Sequence, residues 1–284
     1  MALLAMLDHA STPHTPLMQD PAFVQALRMC GQKPVTLPGG LTILQRRFAG
    51  LRVVMLPRAS PPADLTAQLR HVGLHRSLIV LSPELPCRLG RSLRVMKPRT
   101  LSVLPLSGCA KSRRDALHPK WRNQLVRAEG HHLTVTRNRL DPDPKGMVLK
   151  LETAQSAARG YLNWPVALTS AFALTAPDQT HVFAASHRGE SVAHMVFLTH
   201  GQSATYHIGH ITNEGRHLCA HNLLLWRAAS HFARSNVRDI DLGVLDGRTP
   251  GLDRFKRRAG GQPRRTGGTH LVWPGFTQPA LAQA

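Results

Sequence analysis

From His181 the apolar residues of this chain fall into a period of two and keep it through three consecutive runs, and that stretch limits the fold more than any other. The runs are His181 to Ser186, Glu190 to Thr199 and Ala204 to Ile211, separated by Arg188-Gly189 and Gly201-Gln202. Alternation places one face of a strand in a core, and short glycine-bearing connections join such strands as antiparallel neighbours. A loop containing Gly215 leads into a helix from Ala220 to Arg234, where Leu224, Leu225, Ala228 and Phe232 share one face. Val237 to Leu242 is the next strand. The chain therefore reads as α+β, with a mostly antiparallel central sheet flanked by helices.

The first half is mixed in the same way. Residues 1–19 read as a flexible N-terminal tail, because the apolar start Met1 to Leu7 has no basic lead and stops at Asp8. Asp20 caps a helix from Pro21 to Cys30. Strand-like runs Leu41 to Phe48 and Leu51 to Leu56 flank Ala49-Gly50, a hairpin signal, and a helical pattern covers Asp64 to Val72. Ser77 to Leu81, Leu93 to Met96 and Leu101 to Leu106 are short enough for strands. Pro119 to Ala128 is helical and closed by Gly130, His132 to Thr136 is a strand, and helices follow over Met147 to Leu162 and Pro165 to Leu174. A short helix begun by Thr249 and Pro250 and a strand near His270 to Trp273 end the pattern.

Composition narrows the partners. Lys and Arg number 36 against 16 Asp and Glu, a formal charge of +20 in 284 residues, so the surface attracts polyanions: nucleic acid, anionic lipid or phosphate-bearing cofactors. A coding bias toward Arg yields the same number without a partner. No stretch approaches the roughly 20 apolar residues of a membrane helix, and a cytoplasmic setting is expected. Cys30, Cys87, Cys109 and Cys219 have neither metal-ligand nor disulfide spacing, so no metal is expected.

Three segments carry a resemblance. His118-Pro119-Lys120-Trp121-Arg122-Asn123-Gln124-Leu125-Val126-Arg127 resembles the Lys-x-Arg helix of the FemAB-like branch of the GNAT (N-acetyltransferase) superfamily. Asp239-Ile240-Asp241-Leu242-Gly243, followed by Pro250-Gly251-Leu252-Asp253-Arg254-Phe255-Lys256, is similar to the same family's strand, glycine loop and Gly-Leu-x-x-Phe-Lys segment. Ala204 to Gly209 leading to Ala220 to Trp226 resembles bacterial GNAT-like acetyltransferases as well. The resemblance implies a GNAT-like acyl-CoA N-acyltransferase fold in two tandem halves, a degenerate one over 20–112 and a transferase half over 113–284. It implies acyl transfer to an amine acceptor from acetyl-CoA or another acyl-CoA, or, as in other FemAB-like proteins, from aminoacyl-tRNA. One departure stands out. Arg216-His217-Leu218-Cys219-Ala220-His221 has Cys219 and His221 where the pyrophosphate loop of CoA-using members carries glycine and a small residue. Glycine lets backbone amides approach phosphate closely, so its loss weakens the CoA reading without removing it.

Acyl transfer to an amine needs a base, an acid for the leaving group and donors for the developing oxyanion. Alternation puts Thr205, His207 and Gly209 on one face of their strand and Tyr206, Ile208 and His210 on the other. His207 is then a candidate base and Tyr206 a candidate acid, beside the plainer readings of a satisfied histidine and a sheet anchor. Asp239 and Asp241 share a face of an otherwise apolar strand; Asp241 is the preferred base or amine-binding carboxylate, against an ion pair with a neighbouring arginine. Gly215, Arg216, Ala220, His221, Asn222 and Lys256 are the candidate donor-binding residues. Lys120, Asn123 and Arg127 line one side of their helix as phosphate ligands or as a solvated basic face. Arg254, Arg257, Arg258, Arg264 and Arg265 read as an electropositive rim. A third reading, a non-catalytic nucleic-acid-binding protein, lacks stacking aromatics, which make up only 5% of the chain.

Overall fold

The computed structural model describes residues 15–48 and 50–273; Met1 to Leu7 and Ala49 lie outside them. The elements run α1 (Pro21–Met29), β1 (Val35–Thr36), β2 (Thr42–Phe48), β3 (Leu51–Pro57), α2 (Leu65–His71), β4 (Leu78–Ser82), β5 (Leu93–Met96), β6 (Thr100–Pro105), α3 (Ala110–Asp115), α4 (Pro119–Gly130) and β7 (Thr134–Asn138). They continue as α5 (Met147–Arg159), α6 (Val166–Thr175), β8 (Thr180–His187), β9 (Glu190–His200), β10 (Ser203–Ile211), α7 (Asn213–His217), α8 (Ala220–Arg234), β11 (Asp239–Val244), α9 (Pro250–Arg258), β12 (Gln262–Arg265) and β13 (Thr269–Val272). The Asp20 carboxylate accepts from the Ala22 amide at 2.9 Å, with Pro21 in the first turn, so α1 starts where its cap and proline dictate. The tail expected over 1–19 is shorter within the described residues. Leu17–Gln19 forms a 3-10 turn with Leu17 buried, and the Gln19 amide group donates to the carbonyls of Thr42 and Pro57.

Two sheets result, ordered β1-β2-β3-β4-β13-β5 and β12-β6-β11-β10-β9-β8-β7. The antiparallel meander is β8-β9-β10, as the alternation requires. The division expected between residues 112 and 113 is not where the sheets part. β6 precedes that point yet pairs with β11 and β12 in the second sheet, and β13, near the end of the chain, pairs with β4 and β5 in the first. Each half thus completes the other's sheet, and the two are knitted by backbone hydrogen bonds.

Packing follows the helices. On one face of the second sheet α4 and α8 bury Trp121, Leu125, Leu224, Leu225 and Phe232 against Met195 and Phe197. On its other face α1, α5 and α6 bury Phe23, Leu149 and Phe172 against Val196, Leu198 and Ile208. α2 covers the first sheet through Leu65 and Leu69. Both sheets contain one parallel pair joined by a helix, β3-α2-β4 and β10-α8-β11.

Candidate active site

The parallel pair β10-β11 is short. Its register covers Ser203↔Asp239, Ala204↔Ile240 and Thr205↔Asp241 and then ends. Beyond Thr205 the strand has no β11 neighbour, and side chains from α5 and the loop after it take up carbonyls there instead: Asn163 donates to His207 O at 3.3 Å and Gln155 to Gly209 O at 2.9 Å. Buried backbone groups are satisfied by side chains when a strand partner is missing. A wedge-shaped opening between two parallel strands is therefore built into the middle of the sheet.

A bulge at the opening corrects the expected facing of side chains. Tyr206 pairs with Phe197 and Ile208 with Val196, leaving His207 as the extra residue. Alternation restarts after it. Thr205, His207, Ile208 and His210 lie on the α5-α6 side, where Trp164 packs on His207 at 4.8 Å and His194 stacks on His210 at 5.4 Å. Tyr206, Gly209 and Ile211 lie on the α8 side, with the Tyr206 ring 5.5 Å from Phe197. Gly209 is required here, because a Cβ would collide with the Tyr206 hydroxyl. That hydroxyl has no hydrogen-bond partner among the described residues, and burial raises its pKa, so it stays protonated.

On the α5-α6 side a cavity of about 160 Å³ opens between the halves. His207, Thr205 and Asp241 line it together with Arg58, Trp164 and His200, so two of the candidate catalytic residues meet there. His200 donates from Nδ1 to the Thr15 carbonyl at 2.8 Å, which leaves Nε2 to accept from the Thr205 hydroxyl at 2.8 Å. His207 Nε2 lies 2.9 Å from Thr169 Oγ1, and burial pushes its pKa down to about 4, so the ring is neutral. Asp241 carries the charge. Its Oδ1 accepts from the Gly243 amide at 2.8 Å, while Oδ2 stands 3.7 Å from Arg58 and 3.9 Å from Arg264. Glu84 closes the set with ion pairs to Arg58 at 2.6 Å and Arg264 at 2.8 Å. Arg264 is therefore not part of a solvated rim, and the ion-pair reading of Asp241 holds alongside its place in the cavity.

On the α8 side lies the expected donor loop. Gly215 sits in the short helix α7 rather than in a loop, pressed against the Val192 carbonyl so closely that a side chain there would clash. Cys219 adopts the left-handed conformation at φ 54° that glycine favours, and α8 begins directly after it. The first amides of a helix have no intrahelical acceptor, so Ala220 and His221 present N–H groups at a positive helix end. Exposed Arg216 flanks that end, and its charge helps to depress His221. Arg127 approaches from α4 closely enough to oppose the upward push that burial gives the Cys219 thiol.

Other candidates are corrected. His221 turns inward and donates from Nε2 to the His210 carbonyl at 3.0 Å, and burial takes its pKa to about 4. The buried Asn222 amide reaches Gln124 on α4 at 3.5 Å. Lys256, expected at a donor phosphate, is 5% exposed and donates to the Val244 carbonyl at 2.9 Å, its pKa lowered by burial. Lys120 and Asn123 are exposed on α4, about 10 Å and 6 Å along the axis from Arg127 at 1.5 Å per residue, farther from the α8 start. Sequence reasoning missed Arg58, Glu84, Gln155 and Asn163. A signal existed only for Glu152 on α5, a carboxylate among Leu149, Thr153 and Ala157, which is buried and accepts from Tyr161 and Asn163.

Comparison with known proteins gives a consistent result. Residues 112–257 match the acetyltransferase (GNAT) domain family. No curated protein sequence matches the chain. Among solved structures, FemX shares the fold with a TM-score of 0.72 at 11% identity, over 92% of this chain and 93% of that one. The C-terminal domain of a putative lysylphosphatidylglycerol synthetase from Agrobacterium fabrum follows at TM-score 0.55 and 11% identity, over 90% and 88%. L-PGS from Bacillus licheniformis gives 0.52 at 10% identity over the same shares.

Proposed function

The chain belongs to the acetyltransferase (GNAT) family and is an acyltransferase, and from that premise we propose that it moves an acyl group, acetyl in the first instance, from a CoA thioester to an amine. The observation that carries this reading is the amino end of α8. It opens on the strand wedge after a left-handed Cys219, with Arg216 and Arg127 beside it. Free helix-end amides and two guanidinium groups suit a pyrophosphate. The left-handed turn offsets the absence of glycine at 219, since the backbone already has the shape glycine would allow.

A bound acyl-CoA would supply an activated thioester carbonyl to the wedge. The residues divide the remaining work between the two faces of the sheet. Asp241 and neutral His207 receive the amine from the cavity between the halves and take its proton as the C–N bond forms. Tyr206, on the opposite face, holds a proton for the departing thiolate as the C–S bond breaks. Backbone amides of β10 past Thr205, released from β11, are placed to donate to the developing oxyanion. Adjacent in β10, Tyr206 and His207 point to opposite faces, which puts acid and base on opposite sides, and the bulge then brings Ile208 onto the His207 face.

A second reading replaces the CoA thioester with aminoacyl-tRNA, and the +20 charge favours it, because tRNA binding rests on phosphate contacts. The non-catalytic alternative falls with the family match. Thermal stabilisation by acetyl-CoA and longer acyl-CoAs, beside an aminoacyl-tRNA control, separates the two donors. The expected result is a CoA-dependent shift that Arg216→Glu abolishes. No CoA shift, with salt-sensitive tRNA binding in its place, would overturn the CoA reading.

A further inference from the structure

A second cavity, larger than the one beside His207, lies apart from the wedge. It has a volume of about 460 Å³, within the range of small-molecule sites, and opens to solvent beside exposed Ser107, Gly108 and Ser112. α8 turns its α4-facing stripe to it: Asn222 near the donor end touches α4, and Leu225, Trp226 and Ala229 continue the same stripe into the cavity. Ala229 stands about 10 Å along the helix from Asn222 at 1.5 Å per residue. The hollow is thus separate from the phosphate end while built on the same two helices.

Its walls and its mouth differ in chemistry. Trp121 and Trp226 face it with Leu106, Leu117 and Leu225. Both indoles are held in place: Trp121 packs on Phe255 at 5.9 Å, and Arg114 lies over Trp226 at 5.6 Å while gripping Glu129 at 2.6 Å. Ser107, Ser112, Arg113 and Gln262 supply the polar part of the lining, and no carboxylate is among the described residues that line the cavity. Arg113 spends one terminal nitrogen on the carbonyls of Leu106, at 3.3 Å, and Gly108, at 2.5 Å, which fixes the guanidinium without neutralising it. A cationic ligand meets no counter-charge here, and an uncharged one leaves Arg113 without an anion.

We infer that this cavity is a binding site for a small organic acid with an apolar body, an aromatic or medium-chain carboxylate whose tail lies between the indoles and whose head meets Arg113. The inference does not depend on the donor assigned to the wedge. Isothermal titration of the full chain with octanoate, octanol and octylamine tests it. Octanoate should bind at least tenfold more tightly than either isostere. Arg113→Gln should remove that preference while leaving octanol unchanged, and Ala229→Phe, which fills the hollow, should abolish binding of all three. Arg216→Glu should bind octanoate as the parent does, so failure of the CoA reading and failure of this one are told apart. If octanol or octylamine binds as well as octanoate to the parent, or if octanoate does not bind it, the assignment is wrong. The comparison of the three ligands needs no variant, so a fold lost in Ala229→Phe leaves the test intact.

Discussion

Gly209→Ala is the sharpest test of the bulged strand. In an ordinary strand, replacing glycine with alanine gains about 0.5–1 kcal/mol, because glycine surrenders the most backbone freedom on folding. At 209 the new Cβ would stand 2.8 Å from Cζ and 3.2 Å from Cε2 of Tyr206, and closer still to the hydroxyl. The Tyr206 ring cannot swing away freely, because Phe197 packs on it at 5.5 Å. Overpacking of this kind costs about 1–3 kcal/mol, so the sign reverses. Removing the obstacle should restore the ordinary sign: in a Tyr206→Ala background, Gly209→Ala should be neutral or stabilising by up to about 0.5 kcal/mol. Urea denaturation of the four proteins gives the coupling free energy, expected at about 1–3 kcal/mol. Additivity within about 0.5 kcal/mol would mean that Tyr206 does not lie over Gly209, and the placement of the proposed acid on the α8 face would fall with it.

Tyr206→Phe removes the hydroxyl while keeping the ring and should lower kcat by about 10²-fold with little change in the KM for the donor, since general acid catalysis contributes on that scale; an unchanged kcat under substrate saturation refutes the role. Removing Glu84 leaves Arg58 and Arg264 facing one carboxylate, so Glu84→Ala should cost about 2–3 kcal/mol in chemical denaturation, less than a fully buried pair because both arginines are partly exposed. Burial depresses His207 and His221 from 6.5 to about 4, so both are neutral in the fold while the unfolded chain takes up protons below 6.5. Their contribution is complete above about pH 6.5 and is lost as the pH falls toward 4, about 1–2 kcal/mol each by pH 5. His207→Gln should flatten the difference between denaturation at pH 7.5 and pH 5, and an identical pH slope in that variant contradicts the buried neutral ring.

Most of the elements could be read from the chain because their signals are local. The stripe Leu224, Leu225, Ala228 and Phe232 specifies α8, and the alternation through 181–211 specifies the meander. Three features could not be read. The bulge at His207 depends on Phe197 and Val196 in the facing strand, and it inverts the sidedness that strict alternation assigns to every later residue of β10. The Glu84 ion set joins four segments, two in the first half of the chain and two in the second, and nothing in the residues around Arg264 distinguishes it from its exposed neighbour Arg265. The exchange of β6 and β13 was hidden for the same reason, since a strand's pattern shows that it has a buried face but not which sheet receives it.

The repeated strand-helix-strand unit explains why the donor site proposed at the start of α8 has no counterpart in the first half. β10, α8 and β11 enclose a helix of fifteen residues that starts on a left-handed residue and leaves its first turn beside charged side chains. In β3, α2 and β4 the helix has seven residues and follows Pro61 and Pro62. Its start is filled from within: Leu65 is buried, and Gln68 donates to Asp64 at 2.9 Å while accepting from the Gly39 amide at 3.1 Å. The carboxylate of Asp64, exposed at that start, would repel a phosphate. A non-glycine residue of this half with left-handed backbone is Arg58, at φ 53° directly after β3, and its guanidinium runs to Glu84 and toward Asp241. Where the second half has the left-handed residue of the proposed donor site, the first half thus has one whose side chain holds the carboxylate on the far side of the wedge. The exchanged strands keep that arrangement in register, because β13 fixes β4 beside the same chain segment that carries Arg264.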